Sequence, residues 1–543
     1  MAKEYLSKSD ADIDNFEVWN ELISQDINNS EIVLTVDGKQ YSSLDEDIYM
    51  NENLTLMISG DIISEAFDCA FNIYDNSTAV IEKGTDTLKI DIELLSAVYN
   101  DETITLSEKI ERQENILYIP VTVFSEVFEY DVAWNSSEYI VTVTNQNPDT
   151  RDLPYYYSYV DSGRAPEVKD QGDLGTCWAF ASLTALESTL LPEENLLFSA
   201  DHMSMSNSYG LDQDSGGDYT MSIAYLAAWQ GPVLESDDPY GDGETTEGLE
   251  AVKHVQEVQI IEANDYETIK EMIFKYGGVQ SSLYTSLKNS NSTSYYYNKE
   301  TSAYCYIGTE KANHDVVIIG WDDNFSKDNF STDVEGDGAF ICRNSWGSEF
   351  GDDGNFYVSY YDTNIGMHNV VYTKVENNDN YDNIYQSDLC GWTGSMGFSS
   401  NESAYFANVY TSENDEELVA VSFYAPVVDT EYEVYVCTDY QDENSLSNRT
   451  HEAASGTFTN SGYYTVQLDD TYRLESGEKY AVIIKIYTPN CEKPIAVEYK
   501  GEGQTANADL SDGEGYFSLY GSTWKSAEEN DCNICLKAFT NNR

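Results

Sequence analysis

A chain of 543 residues has room for about three domains, and its 41% hydrophobic content is enough for several cores, which excludes global disorder. Its 97 acidic and 28 basic residues give a formal charge of −69, spread along the whole length, so the surface is highly solvated and repels nucleic acid and anionic membranes. No window approaches the ~20 consecutive apolar residues of a membrane span, and the first residues, MAKEYLSKSDADID, lack a signal-peptide core.

Residues 1–30 are polar and acidic and read as a loosely ordered lead-in. Residues 31–146 contain an internal repeat. Met57-Ile58-Ser59-Gly60-Asp61-Ile62-Ile63-Ser64-Glu65-Ala66-Phe67 is followed by alternating runs at Phe71–Ile73 and Ala79–Ile81. About sixty residues on, Tyr118-Ile119-Pro120-Val121-Thr122-Val123-Phe124-Ser125-Glu126-Val127-Phe128 is followed by runs at Val132–Trp134 and Tyr139–Val143. Each unit reads as a short helix ending in Ser-Glu-x-Phe, then a hairpin with a polar Asn/Ser turn. This pattern resembles the copper amine oxidase N-terminal-like module of bacterial surface proteins, which implies a stalk. No histidine precedes His202, so no copper site is expected.

Residues 147–153 are polar, contain Pro148 and mark a boundary. The next region, 150–376, carries the chemistry. In Val168-Lys169-Asp170-Gln171-Gly172-Asp173-Leu174-Gly175-Thr176-Cys177-Trp178-Ala179-Phe180, a Gly/Asp cluster gives way to a helical apolar pattern at Phe180, Leu183, Leu186 and Leu190. Cys177 therefore sits at a helix N-terminus. The partial positive charge there lowers a thiol pKa, and a neighbouring imidazolium lowers it further by forming an ion pair. Asn313-His314-Asp315-Val316-Val317-Ile318-Ile319-Gly320-Trp321 opens a buried strand with a histidine at its exposed end. Gly338-Ala339-Phe340-Ile341-Cys342-Arg343-Asn344-Ser345-Trp346-Gly347 delivers Asn344 into a turn. Its side-chain carbonyl can accept one ring N–H and orient the histidine, and Trp346 can cover that bond. The Gln171 amide and the Cys177 backbone N–H are the two donors expected for an oxyanion.

These blocks, in this order, resemble the papain family of cysteine peptidases. His314 lies 137 residues after Cys177 and Asn344 lies 167 after it. The first spacing falls within the ~130–150 of such enzymes, and an extended acidic hairpin loop over 322–338 accounts for the second. Leu197-Phe198-Ser199-Ala200-Asp201-His202 and Ser215-Gly216-Gly217 are similar to further family stretches. The resemblance implies a two-lobed domain with Cys177 as nucleophile, His314 as base, Asn344 as its orienting partner and Gln171 at the oxyanion. It also implies protein or peptide substrates, substrate pairing at Gly216 and Gly217, and neither metal nor cofactor. Two departures stand out. Leu174 replaces the usual cysteine three positions before the nucleophile, so that disulfide is absent. Asp315 replaces a small apolar residue and favours a basic substrate side chain if it borders the second specificity pocket. No helical inhibitory propeptide pattern precedes this region.

Residues 380–543 turn to strand grammar, with runs at Val419–Tyr424, Tyr432–Val436 and Tyr480–Ile486 between Asn, Asp, Ser and Gly clusters. Tyr385-Gln386-Ser387-Asp388, Gly391-Trp392, Ala407-Asn408-Val409-Tyr410, Ala454-Ser455-Gly456-Thr457-Phe458 and Cys535-Leu536-Lys537-Ala538-Phe539 resemble the lectin-like domain that follows papain-type domains in some bacterial and archaeal proteins. That resemblance implies a glycan ligand, with no binding residue singled out. Nine widely spaced cysteines do not form a dense disulfide framework, and the lone Cys532/Cys535 pair does not make a zinc site. Cys69, Cys305 and Cys342 read as buried structural thiols, and His202, His254, His368 and His451 as structural or exposed. Asp333-Val334-Glu335-Gly336-Asp337-Gly338 reads as a turn, since Asn344 stands where a calcium loop needs a bidentate Glu. The whole is a multidomain α+β chain: a repeated helix/hairpin module, a papain-like two-lobed peptidase domain and a C-terminal all-β sandwich. It is expected outside the cell or on its surface. The alternative is a non-enzymatic adhesin or carbohydrate-binding protein on a peptidase scaffold.

Overall fold

Short β-branched and aromatic runs punctuated by Asn, Asp and Gly dominate the chain, and most of them become strands. The computed structural model of the chain describes residues 32–145, with short interruptions, and 153–543 apart from residue 450. The lead-in over 1–30, nearly all of the boundary at 147–153 and the polar turn at 136–139 lie outside the described residues. The chain divides into two units, Met1–Tyr155 and Tyr156–Arg543.

In the first unit, helix Gly60–Phe67 precedes the hairpin of Ala70–Tyr74 with Thr78–Lys83. Helix Thr122–Val127 precedes that of Tyr130–Asn135 with Ile140–Asn145. The hairpins belong to different sheets. The first begins a five-stranded antiparallel meander, whereas the second joins Val33–Val36 in a four-stranded sheet through a parallel pairing. Phe67 and Phe128 are counterparts in the repeat, yet Phe67 stacks on Phe124 at a centroid separation of 3.4 Å. Both helices bury their apolar faces in one core. The described residues of this unit contain no histidine, and the Cys69 thiol is buried against the Ile63 carbonyl, so they do not fit a copper ion.

The second unit is organised around helix Cys177–Leu190. Its small and apolar residues run all round, and twelve side chains from Trp178 to Leu190 are buried. It packs on helix Tyr219–Ala227 and on strands His314–Asp322, Val279–Leu283 and Asn369–Asn377. Val279–Leu283 pairs antiparallel with both neighbours, and Ala339–Arg343 and Asn355–Ser359 extend the sheet beyond His314–Asp322. The acidic loop over 322–338 has its own small core, in which Phe330 and Val334 pack on Ala303, Cys305 and Ala339.

The peptidase sheet does not end at its domain. Strand Lys253–Ile261 pairs with Asn369–Asn377 on one side and with Ser461–Leu474 of the C-terminal region on the other, in register from Glu257–Tyr464 to Ile260–Ser461. One thirteen-stranded sheet thus spans both regions. Gly462 has φ +156°, and a Cβ there would lie 2.1 Å from the Val258 carbonyl oxygen, so the crossing requires glycine. The far end of this sheet faces a six-stranded sheet across a core that includes Phe406, Val421, Phe423, Val434, Val482 and Leu536. None of the nine cysteines is in a disulfide. Among the described residues, no group of three His, Cys, Asp or Glu side chains is placed to hold a metal ion.

Candidate active site

The Gly/Asp-rich loop before Cys177 is fixed by hydrogen bonds where a disulfide is lacking. The Gln171 backbone N–H donates to the Ser345 carbonyl (2.9 Å), and the Gly347 N–H donates to the Lys169 carbonyl (2.9 Å). The Gln171 side-chain amide donates to the Leu174 carbonyl (2.8 Å) and accepts from the Ser345 hydroxyl (2.6 Å). The Tyr240 hydroxyl donates to the Gln171 carbonyl (2.9 Å) and accepts from Thr176 Oγ1 (2.7 Å). Lys169 is anchored to the buried Glu187 at 2.5 Å. A Cβ on Gly175 would lie 3.0–3.3 Å from backbone atoms of Gln213, Asp214 and Gly216, so this loop rests directly on the Gly216 loop.

His314 heads its strand and donates from Nε2 to Asn344 Oδ1 at 2.7 Å. The Ser345 backbone N–H also donates to Asn344 Oδ1 (2.8 Å). A backbone N–H can only donate, so the oxygen of the amide faces His314 and Nε2 carries the ring proton. Nδ1 is then the basic nitrogen. Trp346 stacks on the imidazole with centroids 4.7 Å apart and shields the bond from water. The helix bearing Cys177 packs against the His314 strand, and the Asp315 backbone N–H points at the Cys177 thiol. The structure thereby gathers Gln171, Cys177, His314, Asn344 and Trp346 into one place.

Burial pushes the Cys177 thiol up to about 12, and the Asp315 carboxylate adds to the rise. Burial pulls His314 down to about 4, against the opposing effect of the Asn344 bond. Burial thus disfavours the charged form of each group, whereas the helix terminus and the opposite charge of the partner favour it. Proton transfer within the pair creates both charges together, so each offsets part of the other's desolvation.

Gly216 adopts φ +72° with open space where a side chain would stand, whereas a Cβ on Gly217 would lie 2.6 Å from the Trp178 indole. Asp315 accepts from the Ser282 hydroxyl (2.6 Å) and the Gln280 amide (3.0 Å), and burial raises its carboxyl to about 6. Asp218 and His368 also act on it electrostatically. His368 is thus a neighbour of the site, whereas His202 and His254 bond Tyr225 and Asn380, and His451 is exposed. Ser345, Tyr240 and Tyr219 were not singled out by sequence, and His368 was read there only as structural or exposed. Ser345 lies inside the Asn344 motif, but Tyr240 carries no local signal because its role depends only on packing.

Three family descriptions match the chain: Papain family cysteine protease over 153–375, Lectin like domain over 384–540 and Copper amine oxidase N-terminal domain over 27–143. A viral cathepsin of Heliothis zea nuclear polyhedrosis virus is 26% identical over 212 residues, which is 38% of this chain and 52% of that protein. Cathepsin S of Bos taurus is 25% identical over 226 residues, covering 40% of this chain and 63% of that protein. The chain thus spans between half and two thirds of these relatives. Among solved structures, clostridial cysteine protease Cwp84 after propeptide cleavage is 29% identical with a TM-score of 0.63, covering 72% of this chain and 99% of that one. The cysteine protease and lectin-like domains of Cwp84, a surface layer associated protein of Clostridium difficile, give 29% identity and a TM-score of 0.62, covering 72% of this chain and 89% of that one. Residues 153–375 are a papain-family cysteine protease domain, preceded by a copper amine oxidase N-terminal domain and followed by a lectin-like domain.

Proposed function

We propose that the chain is a cysteine endopeptidase acting outside the cell or on its surface, with residues 150–376 as the catalytic domain. The observation that carries this reading is the His314 Nε2–Asn344 Oδ1 bond, with the amide fixed by Ser345 and the imidazole covered by Trp346. It presents Nδ1 as a base on the strand that packs against the Cys177 helix. The Cys177 sulfur attacks the scissile carbonyl carbon as His314 takes the thiol proton. The oxyanion is held by the Cys177 backbone N–H and the second N–H of the Gln171 amide, whose first is bound by Leu174. His314 returns the proton to the leaving amine, leaving a thioester. Water, deprotonated by His314, then releases the acid and regenerates the thiol.

Gly216 and Gly217 pair with the substrate backbone, and Asp315 favours a basic side chain in the adjacent pocket. Trp346 acts as the cover of the His314–Asn344 bond and borders the substrate. Residues 31–146, with their two helix-and-hairpin units, serve as a stalk, and residues 380–543 bring a glycan-binding function by their likeness to lectin-like domains. The surface location is supported by likeness to a surface layer associated protein. No helix among the described residues is long and apolar enough to cross a membrane. The intact Cys, His, Asn and Gln set disfavours a purely adhesive scaffold. Cys177→Ala is expected to lower peptide hydrolysis by on the order of 10⁴-fold or more while the melting temperature stays near that of the parent. An epoxide thiol inhibitor is expected to label Cys177 at neutral pH. Retained turnover in the variant would end this reading.

A further inference from the structure

Helix Tyr219–Ala227 starts two residues beyond Gly217, and its Ala224 lies against Gly391 of the lectin-like domain. A hollow of about 190 Å³ opens there, lined by Tyr219, Thr220 and Ile223 of the helix, Ile260, the Trp392–Gly394 loop and Tyr424. Its walls belong to both domains, and the shared sheet holds them together, since Ile260 pairs with Ser461 across the junction. The loop is seated by design of its sequence. Gly391 has φ +62°, and a Cβ there would lie 2.9 Å from both Ala224 Cβ and the Tyr424 hydroxyl. The Tyr209 hydroxyl holds the Cys390 carbonyl just before it at 2.5 Å.

Three polar side chains of the wall are already engaged. Trp392 Nε1 donates to Ser395 Oγ (2.9 Å), Thr393 Oγ1 accepts from the Tyr499 N–H (2.8 Å), and Thr220 Oγ1 donates to Asp218. What the hollow offers is aromatic and aliphatic surface, which suits an apolar side chain better than a sugar hydroxyl array. Its volume is below the roughly 300–1,000 Å³ of sites for drug-sized ligands and is appropriate to a single side chain. Tyr219 also adjoins the catalytic side, with its ring 6.2 Å from that of His368. The turn from Tyr219 to Ile223 spans roughly 6 Å, about two residues of extended peptide.

We propose that this interdomain hollow is a further specificity pocket, distinct from the one that Asp315 would border, in which the lectin-like domain helps the peptidase to select an apolar or aromatic substrate residue on the amino-terminal side of the scissile bond. The assignment rests on the peptidase reading above. It places the selected residue about two positions beyond the one that pairs with Gly217. The lectin-like domain is then part of the proteolytic specificity and not only an attached module.

The test is cleavage by the full chain of short peptides and of longer peptides varied at each position upstream of the scissile bond. Leu, Phe or Tyr at one distal position is expected to raise kcat/KM about tenfold over Gly or Asp. That ratio should fall below about twofold in Trp392→Ala and recover in Trp392→Phe. Ile223→Ala gives a second reading of the same ratio should Trp392→Ala fail to fold. Cleavage of short peptides with no distal preference overturns the pocket and leaves the peptidase reading standing. A distal preference that survives both alanine variants also overturns it. A Trp392 fluorescence response to oligosaccharides, combined with an indifferent peptide profile, assigns the hollow to glycan and overturns it. Cleavage of no peptide overturns the peptidase reading and the pocket with it.

Discussion

Buried polar groups are used differently at the two ends of the joined sheet. Around Cys177, the Ser345 hydroxyl donates to the Gln171 amide oxygen, and the Ser345 backbone N–H and His314 Nε2 both donate to Asn344 Oδ1. In the lectin-like domain, Lys537 pairs with Asp388 at 2.8 Å, and Glu498 accepts from the Cys390 N–H and the Asn533 amide (both 2.6 Å). There, however, Asp388 Oδ2 and Asn533 Oδ1 are buried without a partner. Burial raises both the Asp388 and Glu498 carboxyls, the latter to about 7. None of the four side chains of the first network leaves a buried polar atom without a partner. The second leaves its spare capacity enclosed, which makes Lys537 its main source of compensation.

The largest stability effect should follow from that contrast. Lys537 and Asp388 are 2% and 1% exposed, whereas Lys169 and Glu187 are 13% and 2% exposed. Lys537→Met strands a buried carboxylate and is expected to cost about 3–5 kcal/mol. Lys169→Met should cost less, about 2–3 kcal/mol, because Glu187 keeps the Phe198 N–H (2.8 Å) and the lysine is less enclosed. Denaturation of the full chain, followed at the transition of each domain, measures both. Equal costs would break the comparison, and recovery in the Lys537→Met/Asp388→Asn double variant would sharpen it.

How much was legible follows the same division. That Cys177, His314, Asn344 and Gln171 come together was readable because each candidate role admits few residue types and each stands in a distinctive local block. The C-terminal strands were readable from their β-branched runs, and Val419–Tyr424 lies within the strand Glu416–Ala425. The fusion of the two sheets was not readable. It depends on backbone pairing between Lys253–Ile261 and Ser461–Leu474, which is indifferent to most side chains. Its one sequence trace is Gly462, an ordinary-looking glycine between Ser461 and Tyr463. Gly462→Val is expected to destabilise the chain by about 1–3 kcal/mol, since a side chain there meets the Val258 carbonyl. Amide exchange should quicken in Val258–Ile260 before it does in the Cys177 helix. Uniform exchange in both would mean that the junction is not a separate cooperative element.

The smallest expected effect concerns Asp315, where the two ends of the contrast meet: a buried carboxylate with both oxygens bonded that lies beside the candidate site. Each of its oxygens accepts one hydrogen bond, from Ser282 or Gln280, and retains capacity for another. With its carboxyl raised to about 6, it is neutral below that pH and charged above it. The preference for Lys or Arg over a neutral residue in the adjacent substrate position should therefore rise with pH through about 6, reaching roughly tenfold. Asp315→Asn should flatten that rise. The linkage runs the opposite way for stability. A carboxyl raised on folding contributes fully below its unfolded pKa, and that contribution is lost as pH climbs through about 6. Asp315→Asn should thus gain stability relative to the parent progressively from roughly pH 4 to about 6, with the full gain above that and none below the lower limit. A basic-residue preference independent of pH, or one that survives Asp315→Asn, would remove Asp315 from substrate recognition and leave it as a buried group held by its two neighbours.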